Sequence, residues 1–324
     1  MRAAYYEKNG SAEGVLQIGE VETPKPGPGE VRIRLATSGV NPSDVKSRAG
    51  TTRKIAFPRV IPHSDGAGEV DMVGEGVAAS RVGERVWIWN GQWKRPFGTA
   101  AEFIALPERQ AVRLPDGVGF EAGACLGIPA LTARHAVDIA GVAAGKTVLI
   151  SGGAGAVAHY AIQFAKARGA IVLTTVSSAV KAVVAHEAGA DHTIDYRAEN
   201  VGERVMELTQ GGVDAVIELD LTANAGLISA VLRPRGIVAV YGTGPQAQIP
   251  ASFCLANSIT LKFLFVYELT SEERAQAIAE VTRMLEGTRL IHNIARGFPL
   301  SDIVAAHHMV EQGQAIGNVI LDLG

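Results

Sequence analysis

Residues Gly153-Ala154-Gly155-Ala156-Val157-Ala158 form a G-x-G-x-x-A run. Small residues at this spacing suit a turn that receives the pyrophosphate of a dinucleotide. Gly153 permits the tight turn, Gly155 lets backbone approach the phosphates, and Ala158 packs a helix on its strand. The helix opening at Ala156 and Val157 offers N–H groups and a partial positive charge to the anion. About 20 residues further on, such domains place an acid on the ribose when that ribose carries no phosphate. Here the sequence reads Thr174-Thr175-Val176-Ser177-Ser178, without an acid. A carboxylate there would repel a 2′-phosphate. Ser177 donates to one, and Lys181, one helical turn on, neutralises it. Tyr196 in "IDYR" stacks on the adenine or donates to the phosphate. The electrostatics favour NADPH over NADH.

Metal chemistry has thinner support. Cys125 and Cys254 are the two cysteines, with no C-x-x-C pair, so a four-thiolate zinc site is excluded. Both read as small buried hydrophobes. His63, Asp44 and Asp65 are conceivable ligands, but an acid-rich, thiolate-free set suits zinc poorly, and they read instead as a polar cleft wall. No metal is expected. His135, His159, His186 and His192 read as non-catalytic, and His307-His308 as the surface of a helix.

Stepping outward, "KTVLIS" (146–151) is the buried strand that must deliver the glycine turn, and "AVAHYAIQFAKARG" the helix that leaves it. Strands "AIVLTTV" (170–176), "DHTIDY", "VDAVIELD" (213–220) and "GIVAVYG" (236–242) alternate with helices. This pattern predicts a parallel sheet covered on both faces. The first third differs. "EVRIRLATSGV" (30–40) alternates apolar and charged residues, and short strands with glycine corners follow, as in a small antiparallel barrel. "FEAGACLGIPALTARHAVDIAG" reads as one helix, and 270–287 as an amphipathic helix with a Ser cap. "GNVILDL" reads as a strand returning to the first domain. The fold class is α/β, with domains at 1–122, completed by 268–324, and at 123–267.

A length of 324 residues suits two domains, and 47% hydrophobic with 19% charged residues gives a normal core. A net charge of −3 offers nucleic acid no basic field. No apolar run reaches the ~18 residues of a membrane span, and the start lacks the apolar core of a signal peptide. The expectation is a cytoplasmic protein with neither membrane nor nucleic-acid partners.

"GVNPSDVKSRAG" (39–50), "IPHSDGAGEV" (61–70), "GERVW" (83–87), "PALTA" (129–133), the glycine turn, "SSAVKAVVAHEAGADHTIDYR" (177–197) and "GNVIL" (317–321) cover nearly the whole chain. Taken together, they make the sequence resemble the medium-chain dehydrogenase/reductase superfamily, in its zinc-free, zeta-crystallin-like quinone oxidoreductase branch. The resemblance implies a GroES-like β-barrel catalytic domain around a Rossmann doubly wound parallel-sheet domain, with the active site in the cleft. It places Asn41 by the nicotinamide ribose and substrate, and Thr132 beside the nicotinamide. It also places Tyr241, Gly242 and the backbone near Phe265 along the cofactor. Asn318 replaces a lysine common in the terminal motif. Zinc-dependent relatives carry Cys and Gly-His-Glu where this chain has Val40-Asn41 and His63-Ser64-Asp65.

The implied activity is NADPH-dependent hydride transfer to a quinone or α,β-unsaturated carbonyl. Without a metal Lewis acid, reducing an electron-poor acceptor is easier than oxidising an alcohol. Places where several relatives carry tyrosine hold Lys46 and approximately Thr52, so a tyrosine proton donor is not expected, and no catalytic residue is assigned. Lys46 bonds a substrate carbonyl or points to solvent. Trp89 and Trp93 wall the substrate pocket or cover the barrel edge. Segment 253–265 is expected at a sheet edge, through which relatives suggest a homodimer. The alternatives are a non-catalytic NADPH-binding protein with a regulatory or structural role, and a zinc-dependent alcohol dehydrogenase.

Overall fold

The structure, a computed structural model, describes residues 1–287 and 289–324. The first of its two compact units is Met1–Ile128, to which residues 282–287 and Ile294–Gly324 return; the second is Pro129–Val281 with Arg289–Asn293.

The first unit begins with β1 (Arg2–Tyr5), β2 (Gln17–Glu20), β3 (Glu30–Val40), β4 (Asp65–Val73), β5 (Arg85–Ile88), β6 (Phe103–Pro107) and β7 (Ala111–Arg113). The second holds β8 (Thr147–Ile150), β9 (Ile171–Val176), β10 (His192–Asp195), β11 (Val213–Glu218), β12 (Leu232–Val240) and β13 (Thr260–Phe263). β14 (Ile294–Pro299) and β15 (Asn318–Asp322) rejoin the first unit, where β15 runs antiparallel to β3.

In the first unit the strand order is β14-β15-β3-β4-β5-β7, with β6 also on β3. Alternation along β3 explains its place. Val31, Ile33 and Leu35 point into a core with Val70, Val86, Ile88, Ile104 and Leu106. Arg32 and Arg34 point outward and pair with Asp71 and Glu69 of β4. Each large apolar side chain so buried contributes about 1.5–3 kcal/mol.

The second unit is a six-stranded parallel sheet in the order β10-β9-β8-β11-β12-β13. The order reverses beside β8, and that switch point is where open α/β sheets bind ligands. β8 is buried at all four residues, as befits Val148, Leu149 and Ile150 in a sheet covered on both faces.

Four expectations about the elements change. Residues 120–141 are not one helix: Phe120–Gly123 is followed by a π-turn, Leu126–Ala130, and then by the helix Leu131–Ile139. Pro129 inside the turn has no N–H to continue an α-helical ladder. The units part within this turn, after Ile128 rather than after 122. Residues up to 128 are tied to the first unit, since Thr37 Oγ1 donates to Phe120 O (2.7 Å) and Ile128 N donates to Asp65 Oδ2 (3.0 Å). The helix Ser271–Glu286 starts in the second unit rather than falling beyond it, fastened by Arg134 to Glu280 at 2.8 Å. Its cap is Thr270, not a serine: Glu273 N donates to Thr270 Oγ1 and Thr270 N to Glu273 Oε2, a reciprocal capping box. Among the described residues no helix is long and apolar enough to cross a membrane.

Candidate functional site

The glycine turn leaves β8 as expected, but its left-handed residue is Gly152 (φ 72°), one place before the motif's first glycine. Gly153 is needed for another reason. A Cβ there would sit 2.3 Å from Thr174 Oγ1, so no side chain fits between turn and β9. Thr175 fixes the turn: its hydroxyl accepts from Gly152 N (3.0 Å) and its carbonyl from Gly153 N (3.0 Å). The sequence reading missed Thr174 and Thr175, although two β-branched hydroxyl residues ending a buried strand were a visible signal.

Gly155 is the N-cap of the helix Ala156–Ala167, with no side-chain cap bond. The N–H groups of its first turn are therefore open to an outside acceptor. Ala156 and Val157 are half-buried, while Ala158 is 1% exposed against the sheet, the packing role expected of it.

At the carboxyl ends of β9 and β10 the chain gathers Ser177, Lys181 and Tyr196. Lys181 Nζ donates to Ser177 Oγ at 3.0 Å. Ser178 is spent as the N-cap of the helix Ala179–Glu187. Tyr196 follows Asp195, the register partner of Val176, and is half exposed. Asp195 is an acid that the reading of this corner overlooked, and its Oδ1 accepts from Arg197 N (3.0 Å).

Thr132, on the helix Leu131–Ile139, is 5% exposed and its hydroxyl has no partner among the described residues. A buried hydroxyl left unbonded is costly, and a ligand amide would satisfy it. Tyr241 is half-buried after β12; burial, with Glu218 adding to it, holds its phenol well above the ordinary value. Gly242 O accepts from Leu221 N. The Phe265 carbonyl accepts from Glu268 N, and its ring tilts against Tyr267 at 5.1 Å. Buried Glu218, also unanticipated, ends β11 and accepts from Ser151 Oγ (2.7 Å), Asn224 Nδ2 (2.8 Å) and Asp220 N (2.6 Å). An open helix N-terminus, a turn of three glycines and one alanine, and an orphan hydroxyl fit a nicotinamide dinucleotide.

In the first unit Asn41 is buried ahead of the helix Pro42–Ala49. Its backbone N donates to Asp44 Oδ2 (2.8 Å) and its Nδ2 to Asp65 Oδ2 (2.9 Å). Burial pushes the Asp44 carboxyl up to about 7, and raises Asp65 well above the carboxylate range, with Asp44 adding to the effect. Asn318 is buried at the start of β15.

His63 does not wall a cleft. It is fully buried at φ 76°, and its Nδ1 lies 2.9 Å from Ser38 Oγ. Its partner on the other side is His307, which is also fully buried rather than on the helix surface. A His-His pair on one helix presents its two rings in different directions, and here the first faces the core. His63 is thus committed away from Asp44 and Asp65. Among the described residues no three His, Cys, Asp or Glu side chains converge as a metal ligand set.

The two candidate tryptophans have different surroundings. Trp89 Nε1 donates to Arg109 O (3.2 Å) beside β7. Trp93 is half-buried, with the Arg53 guanidinium 5.0 Å and the Lys94 ammonium 5.4 Å from its ring centroid. Lys46 is exposed on the helix Pro42–Ala49.

An α/β chain of this build, with a mainly antiparallel first unit and a dinucleotide-type second unit, matches known families in both halves. Residues 27–116 match the alcohol dehydrogenase GroES-like domain, and residues 156–283 the zinc-binding dehydrogenase family. A quinone oxidoreductase of Pseudomonas aeruginosa is 32% identical over 317 residues, covering 95% of each chain. Among solved structures, a mycobacterial protein complexed with NADPH superposes with a TM-score of 0.89 at 30% identity over 100% of both chains. An NAD-dependent alcohol dehydrogenase superposes at 0.91 with 28% identity, also over 100% of both. The protein belongs to the medium-chain dehydrogenase/reductase superfamily, in its quinone oxidoreductase branch.

Proposed function

We propose that the protein is an NADPH-dependent oxidoreductase that passes hydride to quinones or α,β-unsaturated carbonyls without zinc. The observation that carries the reading is the pairing of an uncapped helix N-terminus at Gly155 with the Lys181–Ser177 contact at the ends of β9 and β10. The first suits a pyrophosphate and the second a further phosphate on the ribose. When bound, a reduced nicotinamide supplies the hydride. The helix N–H groups would hold the diphosphate, the Thr132 hydroxyl would meet the nicotinamide end, and Asn41 would face the ribose or the acceptor. Tyr241, Gly242, Phe265 and Asn318 are proposed to line the cofactor. A proton from solvent would complete the reduction, with no side chain assigned as its donor. The zinc-free reading is supported by the commitment of His63 to Ser38 and His307.

The test is loss of reduced-nicotinamide absorbance on adding ortho-quinones, para-quinones and enones. Turnover of at least one class is expected. Binding without turnover across the panel would leave a non-catalytic NADPH-binding protein, and stoichiometric zinc by elemental analysis would leave an alcohol dehydrogenase.

A homodimer is also proposed, through β13 at the edge of the parallel sheet. Phe263 (63% exposed) lies on that edge, with Leu255 (84%) on the preceding helix. An unpaired, apolar sheet edge invites pairing with another chain. Light scattering is expected to give twice the chain mass, and a monomer would remove the proposal.

A further inference from the structure

Segments 45–64 and 89–98 together carry seven lysines and arginines and no acid. Most of the arginines are spent on structure. Arg48 is fully buried and holds both oxygens of Glu311 at 2.9 Å. Arg59 pairs with Glu7 at 2.7 Å, and Arg95 donates to Ala105 O.

Arg53 differs. Its Nε donates to Ser47 Oγ (3.2 Å) and its Nη2 to Gln92 Oε1, both neutral. No carboxylate of the described residues lies within ion-pair distance of it. A guanidinium has five N–H donors, and these bonds use two. The Nη1 donors remain, and they are not sealed from solvent. The Trp93 ring lies 5.0 Å from the guanidinium carbon, which adds cation–π attraction and restrains the group. Arg53 thus joins the helix that follows Asn41 to the Trp93 segment, where Asn90 and Lys94 adopt left-handed backbone (φ 53° and 57°). A half-buried, pre-oriented guanidinium with a free edge and only neutral hydrogen-bond partners is built to receive an oxyanion through two N–H bonds.

We propose that Arg53, steadied by Trp93, Gln92 and Ser47, recognises an anionic substituent of the acceptor, so that the substrate is a quinone or conjugated carbonyl compound bearing a carboxylate or sulfonate. This rests on the reading that Asn41 and the helix behind it serve an acceptor. A neutral carbonyl would engage one N–H, whereas an oxyanion engages two and gains the charge.

The experiment compares a naphthoquinone sulfonate with menadione as acceptors, in wild type, Arg53→Met and Arg53→Lys. The expected result is a preference of wild type for the sulfonate. In R53M, kcat/KM for the sulfonate falls about 10- to 100-fold more than for menadione, mostly through KM. R53K recovers part of that loss. Titration with benzoate, followed by tryptophan fluorescence, gives a readout without turnover: a saturable change in wild type, lost in R53M and regained in part in R53K. Equal losses on both acceptors, or a raised KM for NADPH in place of the acceptor, overturn the proposal and leave the oxidoreductase reading intact. If neither acceptor is reduced, that reading fails instead. The benzoate titration then decides alone, and a wild type that gives no saturable change removes the anion site.

Discussion

Nε2 of His63 lies 2.9 Å from Nε2 of His307, and neither ring reaches solvent. The tautomers follow from the chain of bonds behind them. The Asp65 carbonyl can only accept, so Thr99 Oγ1 donates to it. The Thr99 oxygen then accepts from Ser38 Oγ at 2.8 Å, which makes Ser38 the acceptor of a proton on His63 Nδ1. His63 Nε2 is therefore bare and takes the N–H of His307 Nε2, leaving His307 Nδ1 bare without a partner among the described residues.

Nitrogen NMR is expected to show His63 protonated at Nδ1 and His307 at Nε2. Replacing His307 with Phe keeps an aromatic ring but strands the His63 lone pair. A loss of about 1–3 kcal/mol in unfolding free energy is expected. A His63 signal with Nε2 protonated would contradict the bonding order.

The same burial gives stability an acid-side slope. Burial lowers His63 to about 3, His159 and His292 each to about 4, and His307 well below its ordinary value. An unfolded chain takes up these protons near 6.5, while the fold refuses them. The stability they contribute is therefore full above about 6.5 and falls as pH drops toward those lower values. Asp44 acts in the opposite sense. Held up to about 7 by burial, it keeps a proton that the unfolded chain releases near 4, so its contribution is full below about 4 and is lost as pH rises through 7. Urea unfolding between about pH 5 and 7 should show stability falling toward acid, because the imidazoles outnumber the raised carboxyls. Asp44→Asn should steepen that fall by up to about 1.4 kcal/mol per pH unit, since it removes the opposing slope. A shallower slope in D44N would refute the assignment.

The glycine turn separates fold from ligand. Gly153→Ala drives a methyl into Thr174, and a lower melting temperature is expected with or without cofactor. A Cβ on Gly155 meets Gly152 O at 3.1 Å, a tight contact that a small shift relieves. Gly155→Val should therefore keep its circular dichroism spectrum and lose affinity for NADPH and NADH alike. Retained affinity in G155V would mean that the pyrophosphate lies elsewhere.

The parallel sheet was legible because its central strands are apolar runs, each followed by a helical stretch, and local pattern sufficed there. The π-turn was not legible. Leu126–Ala130 continues an apolar sequence, and only tertiary ties such as Asp65 to Ile128 N decide that the helix breaks there. That Ser177, Lys181 and Tyr196 gather at one corner was readable, since they lie close in sequence to two strand ends. Arg53 and His307 were not, because their roles depend on partners brought from 39 and 244 residues away, Gln92 and His63. Sequence spacing carries no information about such contacts.

Lys181 provides the sharpest test of cofactor choice. Its ammonium rests on Ser177 Oγ at 3.0 Å, and Asp195, the nearest acid in register, is turned to Arg197 N. A phosphate on the ribose would meet one cation and one hydroxyl, whereas an unmodified ribose would meet only the hydroxyl. Removing the cation should cost NADPH a charge-assisted hydrogen bond, about 1.5–3 kcal/mol, and hence about 10- to 100-fold in Kd. Lys181→Ala should leave NADH within about threefold, so calorimetric titration of both cofactors against both proteins isolates the phosphate. Equal weakening of the two would show that Lys181 supports the loop rather than the phosphate. The reciprocal change, Ser177→Asp, puts a carboxylate where NAD-selective domains carry one and should reverse the preference toward NADH.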